Sequence, residues 1–224
     1  MKVIGLGHYS RTGKDTLGAM LQEELKALDP QCNVIKTSFA YKLKDICHQL
    51  YAWDGLREAD FYETVEGALC RDIPLPRVGK TPVQIWVDMG TPAVREQVYI
   101  NTWIDYVLRT PYKVSGVGHN FLIITDVRFP NEVDALGDCD SFLIKTVRGG
   151  VGPRNTVADL ALYGWDGWDY IAGPSLASLR EDAAIIAEGL LKYPKSFKQH
   201  FPLRENRLSL EGAIGQAPSS LAVK

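Results

Sequence analysis

The chain opens on a short apolar run, residues 3–6, closed by Gly7. A run of that length stopped by glycine predicts a buried parallel strand. From residue 13 to 28 the period changes. Leu17, Met20, Leu21, Leu25 and Leu28 recur at spacings of three, four and seven, the stripe of an amphipathic helix, and Asp29-Pro30 ends it. Residues 33–39 predict a second strand and residues 40–53 a second helix, with Leu43, Ile46, Cys47 and Leu50 inward. Residues 58–69 read as helical. Residues 72–80 hold two prolines and a glycine and predict a loop. Helical stretches follow at 82–89 and 93–108. Residues 121–126, four apolar residues closed by polar ones, form the clearest strand pattern in the chain. A short helix at 131–136, a strand at 141–147, a last short strand at 170–172 and a helix at 175–191 capped by Ser175 complete the pattern. Between the last two strands lies a glycine-rich, polar segment with interspersed aromatic residues. Periodicity is lost after Tyr193-Pro194, and residues 203–224 read as a loosely attached tail. Strands alternating with helices predict an α/β layer fold with a mostly parallel sheet.

Composition narrows the function. A length of 224 residues suits one domain, and 46% hydrophobic with 23% charged residues excludes a wholly disordered chain. The net charge of −2 argues against bulk electrostatic binding of nucleic acid, yet leaves room for a local basic site that holds a small phosphorylated ligand. Cys32, Cys47, Cys70 and Cys139 form no CxxC pair, and the four histidines lack metal-ligand spacing. Free thiols in a reducing compartment are expected. No apolar run approaches the length of a membrane span, and the first residues make a poor signal peptide. A cytoplasmic protein is expected.

The first chemical signal is Gly7-His8-Tyr9-Ser10-Arg11-Thr12-Gly13-Lys14-Asp15-Thr16, set between a predicted strand and a predicted helix. A phosphate-binding loop needs that setting: backbone N–H groups converge on phosphate oxygens, and the helix N-terminus adds its positive dipole end. Lys14 would bridge terminal phosphates, and Gly13 lets the backbone approach them. The segment departs from G-x-x-x-x-G-K-[ST] twice. The first glycine position falls on His8, and Asp15 follows the lysine with Thr16 next. A carboxylate beside phosphates points to a magnesium contact or to a hydrogen bond that shapes the site. His8 is read as a loop residue and not as a catalytic base.

The second signal is Thr125-Asp126-Val127-Arg128-Phe129-Pro130-Asn131-Glu132, at the carboxyl end of the clearest strand, where ligands bind parallel sheets. Asp126 and Arg128 lie on one side if the strand continues, and Glu132 is spaced to orient Arg128. With Ser38-Phe39-Ala40-Tyr41-Lys42-Leu43-Lys44, Gly90-Thr91-Pro92-Ala93-Val94-Arg95 and the later Trp103, these motifs resemble those of the deoxynucleoside monophosphate kinases of tailed phages over residues 3 to about 190.

That resemblance implies a P-loop kinase-like three-layer α/β fold. Residues 1–195 would form a single domain, with a helical monophosphate-binding region at about 40–118, a lid at about 148–168 and a tail at 196–224. It implies ATP and Mg2+ with a deoxynucleoside monophosphate (dNMP) as acceptor, in phage nucleotide metabolism. Ser10, Thr12, Gly13, Lys14, Asp15 and Thr16 look like donor-phosphate residues, with Asp15 and Thr16 at the metal. Lys44, Gly90, Thr91, Arg95 and Trp103 look like acceptor-binding residues. Asp126, Arg128 and Glu132 look like a catalytic cluster beside Lys14, with Arg128 also holding the acceptor. No base is required, because the acceptor phosphate is already an anionic nucleophile. Where related sequences carry an H-x-S-E stretch, this one has Asn155-Thr156-Val157-Ala158-Asp159, and Arg148 and Arg154 are the lid arginine candidates. Trp165 and Trp168 are read as local packing. Small-molecule substrates are the expected partners, with neither nucleic acid nor membrane, and homodimerisation stays open. The rivals are a kinase of another small acceptor and a nucleotide-dependent binding protein.

Overall fold

The computed structural model describes residues 1–113, 118–194 and 197–200. Its strands are β1 (Lys2–Gly7), β2 (Asn33–Thr37), β3 (Asn120–Val127), β4 (Ser141–Thr146) and β5 (Tyr170–Ala172). Its helices are α1 (Lys14–Leu28), α2 (Tyr41–Tyr51), α3 (Val65–Cys70), α4 (Pro82–Asp88), α5 (Thr102–Arg109), α6 (Pro130–Gly137), α7 (Val157–Leu160), α8 (Leu176–Lys192) and α9 (Phe197–His200), with short 3-10 turns and a π-helical turn, Met89–Arg95, between them. Two compact units result: Met1–Thr37 with Lys113–Lys224, and Ser38–Tyr112. No helix among the described residues is long and apolar enough to cross a membrane.

The first unit carries the sheet, in the order β2-β3-β1-β4-β5, with every adjacent pair parallel. This is the expected α/β architecture, and its strand–loop–helix start at β1 and α1 suits a P-loop kinase-like fold. β1 is the central strand. Its Ile4 and Leu6 join Phe121, Ile123, Phe142 and Ile144 in a core closed by Leu17, Leu21 and Leu25 of α1 and by Ile186 and Leu190 of α8. Each large side chain buried there stabilises the fold by about 1.5–3 kcal/mol. Leu28, expected on the same stripe, is the last residue of α1 and is exposed, since the stripe outruns the sheet by one turn.

Two further features position the ends of the strands. Between β1 and β3 the register passes from Gly5↔Ile124 to Gly7↔Val127, so Thr125 and Asp126 together oppose Leu6. Such a two-against-one bulge re-aims side chains, and β3 then stops at Val127. Simple alternation therefore does not decide where Arg128 points. At the other edge, Asp182 of α8 is fully buried and accepts hydrogen bonds from the Tyr170 hydroxyl (2.7 Å) and the Gly173 N–H (2.9 Å), which ties α8 to the end of β5. Of the segment expected as a tail, only residues 197–200 are described. Phe197 lies in the core, its ring edge-on to Phe142 at 4.3 Å.

In the second unit α2 buries Leu43 and Cys47, while Leu50, expected inward, is exposed. The single helix expected over 58–69 is interrupted. A 3-10 turn, Ala59–Glu63, stops at the extended Thr64, whose hydroxyl oxygen accepts from the Gly67 N–H and starts α3. The loop expected at 72–80 is irregular and is held by the buried Asp54, which accepts from the backbone N–H groups of Arg77 and Val78. α4 begins on a Thr81/Gln84 capping box with Pro82 in its first turn. The long helix expected over 93–108 is not continuous. Pro92 lacks an N–H and sits in the π-helical turn, irregular turns follow, and only Thr102–Arg109 is α-helical.

Asp182→Ala should remove the bonds to the Tyr170 hydroxyl and the Gly173 N–H, at about 1–3 kcal/mol for each bond to the charged carboxylate. A loss of about 2–4 kcal/mol in urea unfolding is expected, against about 1 kcal/mol for Tyr170→Phe. Equal losses would show that the carboxylate contributes nothing beyond the tyrosine bond.

Candidate active site

The segment from His8 to Gly13 forms the turn between β1 and α1, and its backbone is unusual. His8 has φ 101°, Arg11 φ 66° and Gly13 φ 98°, all in the left-handed region that glycine adopts most readily. His8 thus keeps the dihedral of the glycine that the phosphate-loop pattern places there. Strain of this kind in a side-chain-bearing residue costs about 1–3 kcal/mol and persists only when neighbours hold it. The neighbours here are specific. The His8 ring stacks on Tyr9 with centroids 3.6 Å apart, and its Nδ1 lies 3.0 Å from the Thr146 carbonyl. An acceptor at Nδ1 assigns the neutral tautomer with the proton on that nitrogen. Burial, then the positive charge of Lys145, lowers the His8 pKa to about 3, against the opposing pull of the Thr146 bond. At neutral pH the imidazole is uncharged.

Gly7 is constrained for a different reason. A Cβ there would lie 2.2 Å from the Trp168 ring, so the indole packs directly on the β1 backbone. Trp168 is buried, donates its N–H to the Trp165 carbonyl (3.1 Å) and meets the Trp165 ring edge-on. Both tryptophans accordingly pack locally. The loop is fastened to β4 as well. The Thr12 hydroxyl donates to the Tyr9 carbonyl (2.9 Å) and lies 2.7 Å from the Thr146 hydroxyl, itself 3.2 Å from the Gly7 carbonyl.

Lys14, the first residue of α1, is buried, and its ammonium turns back into the loop. It donates to the carbonyls of His8 (3.2 Å) and Tyr9. Burial, followed by the nearby Arg128 guanidinium, lowers its pKa to about 7, while Asp15, Asp159 and Asp126 favour the charged form. A desolvated ammonium of this kind, set among loop groups, is suited to an anionic ligand. Asp15 and Thr16 are exposed beside it. Their carboxylate and hydroxyl are the hard oxygen donors that Mg2+ prefers, so the donor set fits that ion. No cluster of three or more histidine, cysteine or acidic residues that could hold a metal by themselves occurs among the described residues. Such an ion would rely on phosphate oxygens and water for its other ligands.

Arg128 stands just past β3. Its Nη1 donates to the Ser10 hydroxyl (3.0 Å) and to Asp159 Oδ1 (3.0 Å). Glu132 does not touch the guanidinium through its hydrogen bonds to the turn. It is buried and accepts from the backbone N–H groups of Arg128 (2.7 Å) and Phe129 (3.1 Å), which fixes the turn into α6. Asp126 is half-buried, near enough to Lys14 to act on its charge.

Asp159, which the motifs did not single out, accepts four hydrogen bonds in this group. It lies on α7, whose first turn is capped by Thr156. Its Oδ1 accepts from the Ser10 N–H (3.0 Å), the Ser10 hydroxyl (2.8 Å) and Arg128, and its Oδ2 from the Arg154 N–H (3.2 Å). Burial alone would raise its pKa; the bonds from Ser10 and Arg154, with the Arg128 charge, bring it below the usual carboxylate range. The lone acidic residue at the end of the 155–159 stretch was the available signal. His8, Tyr9, Arg128, Ala158, Asp159 and Leu162 line a crevice here. Arg148 and Arg154 are exposed.

The other expected site residues belong to the second unit. Trp103 is buried and donates its N–H to the Gly90 carbonyl (3.1 Å). Arg95 is buried, its Nε 3.4 Å from the Ile100 carbonyl. Thr91 is half-buried, and its carbonyl accepts from the Glu96 N–H at the end of the π-helical turn. Lys44 pairs with Glu63 (3.1 Å), which also takes Arg71, and lies over the Trp86 ring at 5.1 Å. These contacts gather Gly90, Trp103 and Arg95 around the turn and leave Lys44 in a separate ion-pair cluster.

The native His8 takes its proton only near pH 3, an unfolded one near 6.5. The unfolded chain binds more protons across that interval, so stability rises with pH through it. His8→Gly suits the left-handed φ and removes the titration. Between about pH 6 and pH 4 the wild type should lose up to about 1.4 kcal/mol per pH unit more than the variant, measured by urea unfolding. Parallel pH curves would mean that His8 titrates alike in both states.

No family model matches the sequence. The chain is similar to a protein of Acanthamoeba polyphaga mimivirus, provisionally named a deoxynucleotide monophosphate kinase, with 27% identity over 172 residues that cover 70% of this chain and 79% of that one.

Proposed function

We propose that the chain is a kinase that transfers the γ-phosphoryl group of ATP to a deoxynucleoside 5′-monophosphate. The observation that carries this reading is the Lys14 ammonium, buried in a loop of left-handed residues between β1 and α1, with Arg128 alongside it. The mimivirus similarity supports a nucleotide kinase. The deoxynucleotide substrate is the finer step, and viral nucleotide metabolism, phage or other, is its proposed setting.

In this reading the protein acts by positioning and by charge. Ser10, Thr12, Gly13 and Lys14 hold the donor phosphates. Asp15 and Thr16 would hold Mg2+, which when bound would neutralise the crowded phosphate charge. Lys14 and Arg128 stabilise charge on the transferring group from two sides, where fixed charges outweigh reorganising water. Asp126 balances the Lys14 charge, and Glu132 holds the turn that carries Arg128. Gly90, Thr91, Arg95, Trp103 and Lys44 belong to the acceptor-binding unit, with Trp103 bracing Gly90. Residues 148–168 act as the lid, whose closure excludes water and suppresses ATP hydrolysis.

Diphosphate formation from ATP across common and modified monophosphates tests the reading. Phosphorylation of a different small acceptor, or hydrolysis that needs a macromolecule, would replace it. Lys14→Ala should lower kcat at least about 100-fold, as loss of a single electrostatic donor of roughly 3 kcal/mol does, with an unchanged circular dichroism spectrum. Near-normal turnover would remove the loop from the mechanism. Asp15→Asn should raise the Mg2+ concentration needed for half-maximal rate, and superimposable Mg2+ titrations at full activity would leave Asp15 a helix-start residue only.

A further inference from the structure

We propose that Asp159 is a positioning residue that aims Arg128 at phosphate, an inference that rests on the reading of Arg128 given above. The Asp159 side chain has no solvent exposure, against 26% for that of Arg128. A buried carboxylate is retained only when it is well bonded, and its partners here come from three segments: Ser10 of the loop, Arg128 after β3, and the Arg154 backbone.

The geometry of the arginine gives the arrangement its meaning. A guanidinium presents its donors as a planar fork, and two parallel N–H groups bind two oxygens of one phosphate. Asp159 and Ser10 occupy Nη1. Among the described residues Nε and Nη2 have no partner, and they form the side-on pair that matches two phosphoryl oxygens. Glu132 meanwhile fixes the Arg128 backbone from the other end. The side chain is thus held at both its root and one prong, with the remaining edge available to a phosphate.

The same carboxylate binds the backbone and the hydroxyl of Ser10. Asp159 therefore sets the spacing between the loop that grips one phosphate and the arginine that grips the next. Misplacement by about 1 Å in such an arrangement can cost 100-fold in rate.

The test is a double-mutant cycle with Asp159→Asn and Arg128→Lys in the full chain. The kcat and KM for ATP and for the monophosphate are measured well below the melting temperature of each variant. Asp159→Asn should lower kcat about 10- to 100-fold with less than a threefold change in the KM for ATP. The double variant should lose less than the product of the two single losses, since a lysine has no fork to aim and only the Ser10 bonds of Asp159 are left to lose. Multiplicative losses, or an Asp159→Asn enzyme with wild-type kcat, would overturn the proposal and reduce Asp159 to a structural ion pair. If Arg128→Lys itself retains full activity, the phosphate role of Arg128 fails instead. Should Asp159→Asn not fold, Asp159→Glu keeps the charge and shifts it by one methylene, and the same non-multiplicative pattern with Arg128→Lys is required.

Discussion

A carboxylate without contact to water must be met by donors, and the donors that meet Asp159 tie together the parts of the first unit that matter chemically. Ser10 comes from the β1–α1 turn, Arg128 from the end of β3, and Arg154 from the segment after β4. Ser10 and Arg128 lie just past the ends of β1 and β3, and Arg154 on the segment that follows β4, so all meet at the carboxyl end of the sheet. Because an unpaired buried charge costs several kcal/mol, a shift of any one of the three removes a bond that water does not replace. The geometry around Lys14 depends on that constraint, since Ser10 and Arg128 border the loop into which its ammonium folds.

A second balance concerns positive charge. Lys14 and Arg128 are close enough that the arginine disfavours the lysine charge, and burial disfavours it more. Asp15, Asp126 and Asp159 offset this in part. The neutrality of His8 belongs to the same balance: an imidazolium would add a third cation beside Lys14 and Lys145, and both push its pKa down. A site so arranged favours an incoming polyanion without needing a net basic chain, in keeping with the overall charge of −2.

What was legible in the sequence follows the physics of burial. β1, β3, β4, α1 and α8 are packed on the core along their length, and burial imprints a continuous apolar run on each strand and a periodic stripe on each helix. The reading failed where the period was interrupted or ran past its support. Leu28 and Leu50 continue apolar stripes beyond the surface they pack against. The π-helical turn that ends at Arg95, with the irregular turns after it, interrupts a stretch whose composition alone reads as helix. The loop from Ser10 to Thr16 was legible because its pattern is local. The left-handed dihedral of His8 was not, since histidine carries no signal for it. Asp159 was hidden for a related reason. It sits on a four-residue helix too short to show a period, and its partners Arg128 and Ser10 lie 31 and 149 residues away along the chain.

Phe197 has a practical consequence for where the chain can be cut. Its ring fills space against Phe142, on the strand next to β1, although the segment that carries it follows the last long helix. A fragment ending at residue 195 would leave that space empty, at a cost comparable to other large-to-small core changes, about 3–5 kcal/mol. The shortest fragment that keeps the sheet packed on both sides of Phe142 therefore extends past α8 to include α9.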